Sequence, residues 1–268
     1  MARVPGRWRS LSVTRRMIAE LMATCRRMPI ISIERRMNLA SVASARNALP
    51  DPPSWVALFA KAFAAVAARR VELRRAYMPY PWPHFYETEG SVASIAVERE
   101  YGGESAVFFG QFFRPETQAL DALQEALIHW RNTPVDEVRD FRRILNFMRV
   151  PRPLRQLGWW YATQVAGRHR VRHFGTFGIS TTASSGATCS NLIAPVPLTL
   201  NYGLLAEDGT MEVRLHFDHR VLDGMPAARA LAELEHELQT AAVDELRAMA
   251  APAARVGVRN VGIVVAER

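Results

Sequence analysis

The string Asp218-His219-Arg220-Val221-Leu222-Asp223-Gly224 sets a histidine and an aspartate four residues apart, beside a glycine. It closes an alternating segment and precedes a helical one, so base and carboxylate share one turn. Imidazole titrates near neutrality, which suits removal of a proton from an attacking nucleophile. A His-x-x-x-Asp-Gly string alone is weak evidence, because a lone histidine in such a place is more often structural. Other reactive side chains are sparse. Cys25 and Cys189 lie 164 positions apart, an arrangement that fits neither a zinc site nor a disulfide framework and points to a reducing intracellular setting. Cys189 has no evident triad partner and reads as a small buried residue. Of 34 basic residues only Lys61 is a lysine. It sits inside the apolar run Ser54–Phe63, where it reads as a partly buried structural residue rather than a Schiff-base former. That position excludes a lipoylated or biotinylated carrier, which needs an accessible lysine.

Positioning His219 requires a strand that ends beside it. Met211, Val213, Leu215 and Phe217 alternate with Glu212, Arg214 and His216, the period of a half-buried strand. Asp208-Gly209 marks a turn pairing this strand with Leu198–Tyr202. Pro226 then opens a helix carrying Leu231, Leu234 and Leu238. Upstream, Val13, Met17, Ile18, Leu21 and Met22 recur at helical spacing over 11–28, with Ser12 as N-cap and Pro29 as stop. Ile30–Leu39 reads as a strand. Asp51-Pro52-Pro53-Ser54 caps a helix to about Arg75 that is apolar nearly all round, hence central. Three prolines and five aromatics in Tyr77–Tyr86 predict an irregular, well-packed connection. Ser91–Glu98 and Ala106–Phe113 form a hairpin about Gly102-Gly103, followed by an amphipathic helix over Pro115–Trp130. Strands and helices mix without strict alternation. That predicts an α/β fold of the α+β two-layer sandwich type, a mixed β-sheet with flanking helices.

Composition sets the limits. The chain is 49% apolar and 22% charged, which excludes general disorder, and its formal net charge is +8. The longest apolar stretch, Trp55–Ala68, is 14 residues and contains Lys61, short of the ~18–20 that a spanning helix needs. Ten arginines face only Glu20 and Glu34 in the first fifty residues, without the apolar core of a secretory signal. A cytoplasmic protein is expected, with an organellar transit peptide as the alternative reading of the same N-terminus. No acidic residue falls between Asp140 and Glu207, while eight arginines do: Arg142, Arg143, Arg149, Arg152, Arg155, Arg168, Arg170 and Arg172. Trp159, Trp160 and Tyr161 are interleaved with them. One reading is an exposed cationic face over ordinary core residues; the other is a surface for phosphate groups or an anionic membrane. No nucleic-acid motif accompanies the charge, so no nucleic-acid partner is expected. Val256, Val258, Val261, Ile263, Val264 and Val265 in the tail fit either an added strand or an assembly contact.

The stretch at 218–224 resembles the Asp-His-Arg-x-x-Asp-Gly signature of the 2-oxo acid dehydrogenase acyltransferase catalytic domain, in the superfamily that includes chloramphenicol acetyltransferase. Leu11–Ala19, with its Ser-x-x-Arg-Arg-x-Ile-Ala pattern, is similar to the family's opening helix. Lys61-Ala62, the Gly102-Gly103 hairpin, Gly175-Thr176-Phe177-Gly178-Ile179-Ser180 and Ala194-Pro195-Val196-Pro197 follow in the family's order. The resemblance covers about residues 10–245 and implies one catalytic domain over 1–268, with 246–268 as an extension. It implies His219 as general base, Ser180 as hydroxyl donor to a tetrahedral oxyanion, and Asp223 in a buried ion pair with Arg15. It implies a homotrimer, or a multiple of trimers, with its sites between subunits. Thr181-Thr182-Ala183-Ser184-Ser185-Gly186 departs from the family's Asn-Leu-Gly after the serine, so Thr181 is an alternative oxyanion donor. No lipoyl or subunit-binding domain is expected ahead of the core, and no lysine is placed to carry lipoate. Coenzyme A, as acyl-coenzyme A, is therefore the expected substrate, with a small-molecule acceptor and no metal. The expectation is a stand-alone acyltransferase; the alternative is a trimeric or cage-forming scaffold with vestigial chemistry. Peripheral association with an anionic membrane surface is compatible with either.

Overall fold

The structure is a computed structural model that describes residues 4, 6–187, 189–190 and 192–251; the valine-rich tail segment lies outside the described residues. Helix α1 (Val13–Cys25) starts where expected, with the Ser12 hydroxyl accepting from the Arg15 N–H at 3.1 Å. Strand β1 (Ile30–Asn38) follows, then α2 (Ala40–Asn47), which no local signal announced, and α3 (Trp55–Arg69). Helix α3 is central as its apolar circumference requires, and Phe59 and Phe63 are wholly buried. It ends earlier than expected, because Arg70 turns extended and gives its Nε–H to Glu233 at 2.9 Å.

Tyr77–Tyr86 is not irregular. Strands β2 (Arg75–Met78) and β3 (His84–Glu87) pair there as a short hairpin. All three prolines sit in its loop, where no ladder N–H is needed. Strands β4 (Val92–Tyr101) and β5 (Glu104–Phe113) form the expected hairpin, turning at Gly102 and Gly103 with φ of 63° and 77°. Only glycine adopts such a pair without strain. Helix α4 (Leu120–Asn132) is followed by α5 (Arg139–Met148), α6 (Arg152–Trp160) and α7 (Gly167–Phe174). Strands β6 (Phe177–Ile179), β7 (Leu198–Tyr202) and β8 (Thr210–Asp218) then lead into α8 (Gly224–Glu237) and α9 (Val243–Ala250).

Six strands make one mixed sheet in the order β1-β8-β7-β6-β4-β5, parallel where β6 meets β4 and β7 and antiparallel elsewhere. Alternate residues of each strand supply the two faces. Phe108, Phe177, Leu200 and Phe217 pack with α3 and α8 in the main core. Met17, Leu21, Met148, Trp159 and Phe174 of α1 and α5–α7, with Val196 from the segment before β7, build a smaller apolar cluster. Lys61 is a structural lysine, its Nζ 2.6 Å from Glu245. No disulfide joins Cys25 and Cys189; Cys25 is buried, whereas Cys189 is half-buried rather than buried as expected. Among the described residues no helix is long and apolar enough to cross a membrane.

The arginine-rich segment is not simply a solvated face. Arg155 is 4% exposed and grips Glu20 of α1 through Nε and Nη2, both at 2.6 Å, while also donating to the Val150 carbonyl at 2.6 Å. Trp159 adds an indole N–H to the same carboxylate at 3.0 Å. These bonds, Arg155 first, hold the Glu20 carboxyl below its ordinary range. Removing one partner of a buried pair leaves the other charge stranded. Arg155→Met should therefore cost about 3 kcal/mol in denaturant unfolding, against under ~0.5 kcal/mol for exposed Arg152→Ala. A depressed carboxyl stabilises the fold above its unfolded pKa. The Arg155→Met deficit should therefore be full above about pH 4.3 and shrink as the pH falls below it.

Candidate active site

Strand β8 ends in a tightly tied turn. The His219 N–H donates to the Pro29 carbonyl at 2.9 Å, and the N–H groups of Val221 and Leu222 return to the Asp218 carbonyl at 2.8 and 3.2 Å. Beneath the turn lies a carboxylate that sequence reasoning missed. Asp218 is 0% exposed and accepts from Arg220 Nε at 2.9 Å, Nη2 at 2.6 Å and the Arg220 backbone N–H at 3.0 Å. The Arg220 guanidinium lies 4.5 Å from the centre of the Tyr77 ring. Arg170 of α7, itself buried, donates to the Tyr77 carbonyl at 2.7 Å. Burial pushes the Arg170 guanidinium down to about 10, so it remains a cation at neutral pH, and the nearby Asp218 charge favours that form. The signal for the pair was the Asp-His-Arg triplet itself, which carries both partners on either side of the histidine.

His219 Nδ1 lies 3.1 Å from the Leu222 carbonyl and 3.5 Å from Asp223 Oδ1. A carbonyl can only accept, so Nδ1 carries the ring proton and Nε2 is left as the bare, proton-accepting nitrogen. The edge of the imidazole is backed by Phe217, with ring centroids 6.1 Å apart.

Two expectations fail within the chain. Asp223 makes no buried pair with Arg15: its side chain is 81% exposed and its ion-pair partner among the described residues is His219. Arg15 is exposed on α1, near Glu104, which accepts from Ser12 and Thr14. The buried carboxylate of the turn is the other aspartate, Asp218, whose cation comes from two residues along rather than from α1. Thr181 is not a vacant donor either. Its hydroxyl proton goes to the Tyr202 carbonyl at 2.9 Å, and its oxygen accepts from the Ala183 N–H at 3.1 Å. Ser180 differs. Its backbone is pinned by Leu200 and Asn201, while its hydroxyl takes no partner among the described residues.

Ser180 and His219 do not meet in one chain. Register places Ser180 level with Asn201 and Arg214, two strands away and five positions along from His219. At ~3.3 Å per residue and ~4.8 Å between strands, they stand about 19 Å apart. Ser180 instead lines a cavity of about 530 Å³ on the sheet face opposite α3, beneath α1 and α5–α7. At its rim Arg143 donates to His173 Nδ1. His173 is held neutral, pushed down to about 4, by partial burial and then by the Arg143 charge. Among the described residues no group of His, Cys, Asp or Glu could hold a metal ion.

No protein-family model matches the sequence, and no curated protein does. Solved structures do match. A probable dihydrolipoamide acetyltransferase from Listeria monocytogenes superposes with a TM-score of 0.60 at 17% identity, over 87% of this chain and 94% of that one. The dihydrolipoamide acetyltransferase of Azotobacter vinelandii gives 0.63 at 15% identity, over 91% and 99%. A truncated catalytic core of the 2-oxoacid dehydrogenase multienzyme complex from Thermoplasma acidophilum gives 0.61 at 16% identity, over 88% and 99%. This chain has the dihydrolipoamide acetyltransferase fold. The acetyltransferase from Azotobacter was studied for the catalytic role of a serine, a histidine and an asparagine four residues after that histidine. In this acetyltransferase fold, Asp223 stands four residues after His219.

The two aspartates of the turn should separate cleanly in unfolding experiments. Arg220→Ala leaves Asp218 charged, buried and unpaired, and should cost about 3–5 kcal/mol in denaturant titrations. Asp223→Asn should change stability by under ~0.5 kcal/mol. Equal losses would reverse this assignment of the buried pair.

Proposed function

We propose that this protein is an acyltransferase that moves an acyl group between a coenzyme A thioester and a thiol or hydroxyl acceptor. One observation carries the reading: Nδ1 of His219 is tied to a carbonyl, so Nε2 is bare, at the end of a strand in an acetyltransferase fold. His219 Nε2 takes the proton of the acceptor as its sulfur or oxygen attacks the thioester carbonyl. The tetrahedral oxyanion receives a hydrogen bond from the Ser180 hydroxyl. Collapse breaks the carbon–sulfur bond, and the departing coenzyme A thiolate recovers the proton from Nε2. Asp223, 3.5 Å from Nδ1, would orient the ring, and its spacing from His219 is that of the asparagine from the histidine in the Azotobacter enzyme.

The separation of about 19 Å means that the reading needs a site shared between copies. His219 of one copy works with Ser180 of another, in the homotrimer, or multiple of trimers, that the resemblance implies. The multienzyme core from Thermoplasma supports such an assembly. A further partner fits the outer surface. Leu154, Leu157, Trp160, Tyr80 and Trp82 are exposed, and the Tyr80 and Trp160 rings lie 5.8 Å apart, so α6 and the β2–β3 loop form one apolar patch. Exposed Arg149, Arg152 and Arg168 accompany it within a stretch free of acids, which suits an anionic membrane surface.

His219→Ala and Ser180→Ala should each lower thioester-dependent transfer by about 10²–10³. Co-refolding the two inactive variants in equal amounts should restore about a quarter of wild-type activity, since that share of shared sites draws both intact residues. Activity that stays absent after mixing would rule out the shared site. On vesicles, the protein should float with anionic but not neutral liposomes, and Trp160→Ala together with Arg152→Glu should abolish flotation. Equal flotation with neutral liposomes would reject the electrostatic docking.

A further inference from the structure

The sheet face that α3 and α8 leave uncovered is the floor of the cavity, and α1, α5, α6 and α7 roof it. Its volume of about 530 Å³ falls among small-molecule sites, which span ~300–1,000 Å³. The walls are apolar, with Met17, Leu21, Phe109, Ile144, Phe147 and Trp159 among them. A two-carbon acyl group would leave most of this space empty and its lining without contacts.

Polar side chains interrupt the apolar lining along the floor, Gln111, Ser94 and Thr199 in one register row and Ser180 beside it. Ser180 directly follows β6, and Gln111 lies on β5. Gln111 is 8% exposed, and neither Oε1 nor Nε2 has a hydrogen-bond partner among the described residues. An unmet buried amide is costly, so the protein carries a donor and an acceptor that a ligand oxygen or nitrogen would satisfy. Register pairs Gln111 with Ser94, and Ser94 with Gly178, two residues before Ser180. Strand geometry then puts Gln111 about 12 Å from Ser180. A ligand group that meets Gln111 is therefore far from the reacting carbonyl.

The charge around the cavity decides what kind of group that is. Asp140 lines it and accepts from the Gln111 backbone N–H at 3.3 Å, while the Arg143 cation is engaged with His173. An anionic tail would face the Asp140 carboxylate beside Gln111, and a cationic one the Arg143 guanidinium. The expected group is uncharged. A hydroxyl or an amide offers a donor and an acceptor together, which is what the two vacant Gln111 atoms complement.

We infer that the cavity holds the acyl part of the substrate: an extended aliphatic chain running from Ser180, with a hydroxyl or amide some way along it received by Gln111. This rests on the acyl-transfer reading of Ser180 and His219 and names the substrate class for it.

The test uses the full chain and S-alkyl-coenzyme A thioethers of graded length, from ethyl upward, read by titration calorimetry. Thioethers have no carbonyl to transfer, so binding is read apart from turnover. The dissociation constant should fall about fourfold per added methylene until the cavity is filled. In a parallel series ending in a hydroxyl, one length should bind about fivefold tighter than its plain counterpart, where the hydroxyl reaches Gln111. Gln111→Leu should erase that peak, keep the methylene slope and raise Tm, because a stranded amide has been removed. An affinity independent of chain length would overturn the inference, and a hydroxyl peak that survives Gln111→Leu would overturn the role of Gln111. A full slope in a protein that never transfers acyl groups would sink the transferase reading and leave the chain site standing. Acetyl transfer with a flat slope would do the opposite.

Discussion

A carboxylate with no access to water, Asp218, governs the geometry of this molecule. Desolvating it is expensive, and only well-placed hydrogen bonds offset that cost. Arg220 supplies three of them, two from its guanidinium and one from its backbone. The pair closes a loop across one intervening residue, and that residue is His219. Because both partners flank the histidine, its backbone is held in place by the ion pair, and its ring by the Leu222 carbonyl. Tyr77 beneath Arg220, and Arg170 against Tyr77, carry the constraint outward to the β2–β3 hairpin and to α7. Helices that look peripheral are thus wired to the turn that holds the base.

The arginine-rich segment takes its meaning from this wiring. A run of cations without acids suggests a surface, and five of its eight arginines are indeed exposed. Arg155 and Arg170 are buried, and Arg143 is partly so. Arg155 answers Glu20 from 135 residues away, and Arg170 answers a carbonyl 93 residues away. Neither partner is visible in a local window. Arginine is suited to such positions because its planar fork makes several bonds at once and stays charged when buried.

What could be read from residues alone follows the same division between local and distant. The β7–β8 hairpin and the Gly102-Gly103 turn rest on alternation and positive φ, which are properties of neighbours. The cap at Ser12 is equally local. The His219 turn was legible for the same reason, since its string is contiguous. The Arg15–Asp223 pair was carried from a resemblance and fails within the chain, where the nearer Arg220 satisfies the nearer Asp218. Helix α2 is short and only weakly amphipathic, with Val42 its one buried residue, so no periodicity marks it. The cavity had no signature, because it lies where residues of α1, α5, α6 and α7 face those of β4, β5, β6 and β7.

Sheet geometry explains why a binding space and a proton acceptor end up apart. Gln111, Ser94, Gly178, Thr199 and His216 stand in one register row across the floor of the second face. All but Gly178 are polar and buried, and His216 is satisfied on one side by Ser32 at 2.6 Å while its Nε2 has no partner. Burial, and then the Arg214 charge, push that imidazole below its ordinary range. A sheet buried on both faces normally fills such a row with branched apolar residues. Here the row is polar and the roof stands off it, so this face is poorly suited to being a second core. It is well suited to a long ligand with scattered polar groups, whose reactive end lies at Ser180. His219 leaves the opposite end of the same sheet, and strands of fixed rise cannot bring it back. On the acyl-transfer reading proposed above, a single copy presents half of a reaction centre at each end, and rotation of identical copies about a common axis is the simplest operation that would join the halves.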